Sequence, residues 1–312
     1  MAYVGLDKQI RRNNRNSILL LLGFPFLIFA GMFAFLLYVN MGNSEATLDN
    51  FMMVMPFVIG GVVVWFLIAF TFHSKLITLA TGSTTLERKE NMRVYNLSEN
   101  LCISVGMTMP KLRVIDSPAL NAFASGINEK TFTVTLTKGI IETLDDSELE
   151  GVIAHELMHI RNKDVRLLIV SIIFVGILGF LVNMLFRSLI YGGGRRRSKD
   201  SKIDGRVMIV ALLIAAAVYL LSILFKLALS RKREYMADAG AADMTRNPGA
   251  LASALRKISG NSDLEARSDE VKQMYIENGP KENEAGLFSA IGGLFSTHPP
   301  IKKRIDFLEG ME

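Results

Sequence analysis

Two histidines four residues apart, with a glutamate directly after the first, make up the segment His155-Glu156-Leu157-Met158-His159. On an α-helix a spacing of four amounts to about 400° of rotation and about 6 Å of rise, so both imidazoles leave one face. Two ring nitrogens placed that way can share one zinc ion at about 2.0–2.1 Å. Glu156 sits about 100° around the helix from His155. It can reach a water beside the metal without being a ligand, which suits a general base in metal-assisted hydrolysis. A structural zinc site would instead close with cysteines and four protein ligands. The chain has one cysteine, Cys102, which excludes that chemistry and any intrachain disulfide framework.

A catalytic metal needs a third protein ligand, and several downstream carboxylates qualify by type. Spacing alone does not choose among them. Glu234 is the best candidate, in Arg231-Lys-Arg-Glu-Tyr-Met-Ala-Asp238; Asp238 follows it by four residues on the same helical face. From there Asp238 could accept a hydrogen bond from a ligand imidazole and fix its tautomer. His298, ahead of Pro299 and Pro300, reads on its own as a loop residue. Arg304, in Lys302-Lys-Arg304, reads equally as a surface charge. His73 has no metal partner in the sequence, and Cys102 reads as a small buried hydrophobe rather than a nucleophile.

The elements that must position these groups are partly legible. The motif helix starts near Asp146, with Ser147 and Glu150 at capping-box spacing. Upstream lie a strand-like Leu112-Arg-Val-Ile115 and an alternating Thr131-Phe-Thr-Val-Thr-Leu136. Downstream, residues 226–260 read as helical with a break at Asn247-Pro248, and residues 261–290 as a loop or lid.

Composition adds a membrane. The chain has 312 residues, half of them apolar and 21% charged, with a mean hydropathy of +0.31. The excess lies in four long runs: Ser17–Val39, Phe51–Phe72, Leu167–Phe186 and Val207–Phe225. The first two carry no charge and suffice to cross a hydrocarbon core of about 30 Å. Lys8, Arg11, Arg12 and Arg15 precede the first run, only Glu45 and Asp49 lie in the loop between, and Lys75, Arg88 and Lys89 follow. The positive-inside rule therefore puts the N-terminus and the segment after Phe72 in the cytoplasm. The second pair is ambiguous, because Arg187, Arg195-Arg-Arg197, Lys199, Lys202 and Arg206 lie between its runs. Length and hydropathy favour a spanning hairpin; the charge favours a shallow hairpin whose basic tip meets anionic lipid. The expectation adopted is the spanning hairpin, with the catalytic residues on the cytoplasmic side. The net charge of +5 comes with no nucleic-acid-binding signature, so a nucleic-acid partner is not expected.

Several segments taken together resemble the HtpX-type membrane zinc metalloproteases, whose peptidase family also contains the CAAX prenyl endopeptidase. They are Asn121-Ala-Phe-Ala-Ser-Gly126, His155–His159 with Ile160-Arg-Asn162-Lys-Asp164, Ser230-Arg231 through Asp238, and Ser296-Thr-His298-Pro-Pro300 with Arg304-Ile305. The resemblance runs over nearly the whole chain. It implies His155, His159 and Glu234 as ligands of one zinc ion, Glu156 as base, and Asp238 behind a ligand. It also implies His298 as the donor to the oxyanion, with Arg304 helping to hold the site. Asn121, Ala122, Phe123 and Ala124 would form the edge strand that pairs with an extended substrate. The implied fold is mostly α: a helical protease domain with a small β-sheet at the active site, set in a multi-pass membrane protein.

On that reading residues 1–16 are a cytoplasmic N-terminus, 17–72 a transmembrane hairpin, 73–166 the first part of the protease domain, 167–225 a second apolar hairpin and 226–312 the second part. The expected activity is zinc-dependent cleavage of cytoplasm-accessible parts of misfolded or damaged membrane proteins, in the bacterial cytoplasmic membrane. The partners are those substrates and the lipid bilayer, and a homo-oligomer is compatible with the sequence. The alternatives are a metal-stabilised membrane adaptor without catalysis, against which an intact Glu156 argues, and prenyl-protein processing, against which the short membrane portion argues.

Overall fold

The computed structural model describes residues 6–191, 205–228, 231–259 and 300–311. In chain order the described helices and strands begin with α1 (Leu6–Val39), α2 (Ser44–Thr81), β1 (Thr84–Thr85), α3 (Met92–Ser104), β2 (Lys111–Ile115), β3 (Ala122–Ser125) and β4 (Thr133–Thr137). There follow α4 (Lys138–Thr143), α5 (Asp146–Arg161), α6 (Asp164–Tyr191), α7 (Gly205–Ala228), α8 (Arg231–Thr245), α9 (Pro248–Ile258) and α10 (Ile301–Glu309). The chain divides into two compact units. One comprises Ser17–Thr71 and Val170–Lys226, the other Met1–Asn16, Phe72–Ile169 and Leu227–Glu312.

The apolar unit is made of long helices. Windows long and apolar enough to cross a membrane lie at Leu22–Val39, Ser44–Thr81, Asp164–Arg187 and Gly205–Ile223. Pro25 and Pro56 sit inside α1 and α2, which spanning helices tolerate because neighbours satisfy the freed carbonyls. Aromatic stacking joins the pairs: Phe174 lies 5.2 Å from Phe24 and 5.5 Å from Phe66. The turn between α1 and α2 is closed by side chains, since the Asn43 side chain accepts from Glu45 and Ala46 N–H. The basic loop at 192–204 lies outside the described residues.

The second unit holds a four-stranded sheet in the order β1-β2-β4-β3. β2 and β4 are parallel, and β3 runs antiparallel to β4 as an edge strand. The alternating segment expected from Thr131 becomes a strand only at Thr133. Thr131 instead closes a turn with Asn128, accepting at its hydroxyl from Ile127 and Asn128 N–H. All five residues of β4 are buried, as befits a central strand covered on both faces. Gly126 next to β3 has φ +112°, a conformation that favours glycine.

α5 is the hub of this unit, packing on α3, α8, α9 and β3. Leu149, Val152, Ile153 and Leu157 have no exposed surface. A side chain at Gly151 would stand 3.2 Å from the Leu251 backbone, so the glycine lets α9 approach this closely. The capping box lies two residues before the expected one. Asp145 accepts from Glu148 N–H while Glu148 accepts from Asp145 N–H. The choice of Glu148 over Glu150 follows from its partners: it is buried, and it accepts from Ser253 Oγ at 2.7 Å and Lys257 Nζ at 2.6 Å on α9. Asn247-Pro248 breaks the helical stretch between α8 and α9, with Asn247 capping α9 by accepting from Ala250 N–H.

Glu148 therefore joins a helix start to a neighbouring helix. Burial would raise its pKa, but Lys257, Ser253 and the Asp145 N–H outweigh burial and hold it below its ordinary 4.5. Its ionised form thus contributes stability above about pH 4.5 and loses it as pH falls through the lowered folded value. Glu148→Ala should cost about 2 kcal/mol, read as a lower unfolding midpoint of the detergent-solubilised protein. The gap between wild type and Glu148→Gln should close on acidification.

Candidate metal centre

α5 presents His155 and His159 from successive turns, with their rings perpendicular and 4.6 Å apart. Their Nε2 atoms face each other at 3.1 Å. From the first turn of α8, Glu234 brings Oε2 to 3.7 Å from His155 Nε2 and Oε1 to 3.6 Å from His159 Nε2. Tetrahedral ligands at about 2.0–2.1 Å from an ion lie about 3.3–3.4 Å from one another. The donor set therefore fits a single ion, and one ligand atom from each of the three residues lies within 4.8 Å of the others.

Each imidazole has a carboxylate behind it. His155 Nδ1 lies 3.0 Å from Asp238 Oδ1, and His159 Nδ1 lies 3.2 Å from Asp164 Oδ2. With Nδ1–H donating to these carboxylates, both Nε2 lone pairs point to the shared space. Arg304, buried on α10, donates twice to Asp238, from Nε at 2.9 Å and Nη2 at 2.7 Å. The same Nη2 lies 3.5 and 3.3 Å from the two His155 ring nitrogens, and Nη1 is 3.7 Å from Glu234 Oε2.

Charge makes a second test of fit. Around the two imidazoles, the buried charged residues among those described are four carboxylates, Glu156, Asp164, Glu234 and Asp238, and two guanidiniums, Arg233 and Arg304. With the carboxylates ionised and the imidazoles neutral the deficit is two positive charges, which a divalent ion matches. Burial and the neighbouring Arg304 push His155 down to about 4. Burial also disfavours the charged form of His159, but Glu234 and Asp164 more than offset it and push the ring up to about 9. Burial raises Glu156 to about 7, with Glu234 adding to the rise while His159 and Arg304 oppose it. A carboxyl near neutrality is well matched to taking and returning a proton. Asp238 stays low despite burial because Arg304 is beside it.

Of the residues singled out in the sequence, His155, Glu156, His159, Glu234, Asp238 and Arg304 come together here. Arg304 is 1% exposed, which removes the surface-charge reading. Ala122, Phe123 and Ala124 lie on β3, and the Ala124 N–H donates to Glu156. Asn121 precedes the strand, its side-chain oxygen accepting from Ala122 N–H. His298 and the segment 261–290 lie outside the described residues. His73 has its Nε2 at 3.0 Å from Ser74 Oγ. Cys102 is buried, which pushes its thiol up to about 11 and makes it a poor nucleophile. Two residues of the site had no role in the sequence reading, Asp164 and Arg233. The signals were an aspartate five residues after His159 and an arginine directly before Glu234.

The sequence profile described as Peptidase family M48 matches residues 88–312. The chain belongs to peptidase family M48. Its relatives include a Protease HtpX homolog of Bacteroides fragilis, 52% identical over 322 aligned positions that cover 99% of each chain. Another, from Tropheryma whipplei, is 37% identical and covers 97% of each chain. A third, from Dictyoglomus thermophilum, is 39% identical over 97% of this chain and 94% of that one. Among solved structures, that of S. mikatae Ste24p is similar with a TM-score of 0.48 and 18% identity, covering 95% of this chain and 66% of that one. Membership of M48, with four candidate spans, makes this a multi-pass membrane metalloprotease.

The donor set of this M48 chain leads to a measurable proton balance. A ring held near 9 is protonated at neutral pH and must lose its proton to become a ligand. Adding a divalent ion to metal-stripped protein at pH 7 should release about one proton per site, with a further fraction from Glu156. Affinity should rise with pH, about tenfold per unit, up to the His159 value. An indicator dye in weak buffer reads the release; none at all would mean that His159 is already neutral at pH 7 without the ion, or that it is not a ligand.

Proposed function

We propose that the chain is a zinc-dependent endopeptidase of the bacterial cytoplasmic membrane that cleaves cytoplasm-accessible segments of damaged or misfolded membrane proteins. The observation that carries the reading is Glu156, a buried carboxylate beside two facing imidazoles and held by a backbone N–H of edge strand β3. His155, His159 and Glu234 would hold the zinc. When bound, the ion supplies a Lewis acid that polarises a peptide carbonyl and acidifies water. Glu156 takes the proton of the attacking water and passes it to the leaving amine. Asp238 and Arg304 keep His155 in the tautomer that leaves Nε2 free. Asn121–Ala124 offer an extended edge to a substrate backbone, with the Ala124 N–H already committed to Glu156. His298 donates to the oxyanion, a contribution of about 2.7–4 kcal/mol at comparable sites.

The cytoplasmic orientation rests on the charges flanking α1 and α2, and the bacterial setting on the relatives. The quality-control role rests on the resemblance to HtpX-type proteases.

Two experiments test the reading. Glu156→Gln should keep near-stoichiometric zinc and lose at least about 100-fold in turnover of a model membrane substrate. Glu234→Ala should lose the zinc itself. Retained turnover in the first variant would remove Glu156 from the chemistry, and wild-type zinc affinity in the second would move the third ligand elsewhere. For topology, a cysteine at Gly193 in a Cys102→Ser background should react with an impermeant thiol reagent outside intact cells. A control cysteine at exposed Lys130 should react only after permeabilisation. Labelling of both only after permeabilisation would mean that the second hairpin does not span.

A further inference from the structure

Behind each of the two imidazoles stand a carboxylate and a guanidinium. For His155 they are Asp238 and Arg304, from α8 and α10. For His159 they are Asp164, the first residue of α6, and Arg233, in the first turn of α8. The Arg233 Nη1 lies 3.4 Å from the Asp164 carbonyl oxygen, both residues are buried, and Arg233 directly precedes Glu234 in the chain. Between Asp164 and Arg233 the chain runs through both helices of the second apolar pair.

The turn that delivers Asp164 is strained. α5 ends at Arg161 and α6 starts at Asp164, and the intervening Lys163 has φ +60°. A left-handed conformation is disfavoured for a non-glycine residue, because its Cβ comes too close to the following carbonyl oxygen. The chain accepts that cost in a turn of two residues, and the outcome is a carboxylate placed under His159 Nδ1.

We propose that Asp164 and Arg233 are a positioning pair: Asp164 orients His159 toward the ion, and Arg233 ties that carboxylate's backbone to the turn that carries Glu234. The inference rests on the metal-centre reading of His155, His159 and Glu234. A carboxylate on Nδ1–H fixes the tautomer and strengthens Nε2 as a donor. Arg233 compensates the charge of a buried Asp164, which would otherwise be costly. It also holds the start of α6 against the start of α8, so two ligands that are far apart in sequence share one point of reference. The pair acts through His159 and Glu234 and touches neither substrate nor ion.

The test uses full-length protein in detergent, with Zn2+ affinity measured by competition with a chromophoric chelator. Asp164→Asn keeps the shape and should weaken binding by about 10–100-fold. Arg233→Met should weaken it by several-fold, and Arg233→Lys should recover part of that loss. Because both residues act on one imidazole, the double variant should lose less than the product of the single losses. Metal-saturated Asp164→Asn should show a reduced kcat with KM for a peptide substrate little changed. Glu148→Ala, which disturbs the same unit away from the site, should lower the unfolding midpoint while leaving Zn2+ affinity within about twofold of wild type. Wild-type affinity in Asp164→Asn, or a loss no larger than in Glu148→Ala at an equal drop in midpoint, would overturn the inference alone. Absence of Zn2+ binding by wild type would overturn the metal-centre reading and this inference with it.

Discussion

Charge balance inside a buried pocket is the constraint on which the rest of this structure depends. Around His155 and His159, four carboxylates and two guanidiniums among the described residues have almost no solvent contact. Any one of them left alone would cost several kcal/mol. The chain meets this with strict pairing. Asp238 has Arg304 at hydrogen-bonding distance, Asp164 has His159 and Arg233, and Glu156 has the backbone N–H of Ala124. Glu234 faces both imidazoles and a guanidinium. The helices are arranged as these pairs require. α5 is buried nearly all round, because it carries His155, Glu156 and His159 and each has its partner on a different element.

The same constraint explains why the protease unit is assembled from separated stretches of sequence. His159 and Glu234 are 75 residues apart and converge on one point, although two helices of membrane length lie between them. The hinge elements are short. Asn162 and Lys163 alone separate α5 from α6, and Arg233 and Glu234 stand in the first turn of α8. Short connections leave little freedom in where a side chain ends up, which suits a site that must bring nitrogens and oxygens to within a few tenths of an ångström of a common sphere.

Much of this was legible in the order of residues, for reasons of periodicity. A spacing of four on a helix settles which side chains share a face, so His155 with His159, and Glu234 with Asp238, could be paired without coordinates. Charge-free runs of about twenty residues announce helices of membrane length in the same direct way. What was not legible came from tertiary partners. Ser147 with Glu150 and Asp145 with Glu148 satisfy the spacing of a capping box equally well, and only the presence of Ser253 and Lys257 on α9 separates them. Arg304 lies in a basic triplet that resembles any solvated helix face, and its burial is set by Asp238 across the unit. Asp164 carried no role in the sequence, and it is both the first residue of α6 and the partner of His159. β4 starts two residues after the alternation does, because Thr131 fits a strand and a turn equally and Asn128 decides in favour of the turn.

The Asp238–Arg304 pair also sets a timetable. Its two members are separated by 66 residues, and translation proceeds at about 5–20 residues per second. A nascent chain therefore carries Asp238 for about 3–13 s before the ribosome has added the guanidinium that compensates it. Over that interval the helix bearing the histidines, and the helix bearing Glu234, are already made. The carboxylate that orients His155 meanwhile lacks its buried countercharge. Only when translation passes position 304 can the buried Asp238 carboxylate gain the guanidinium that donates to it twice.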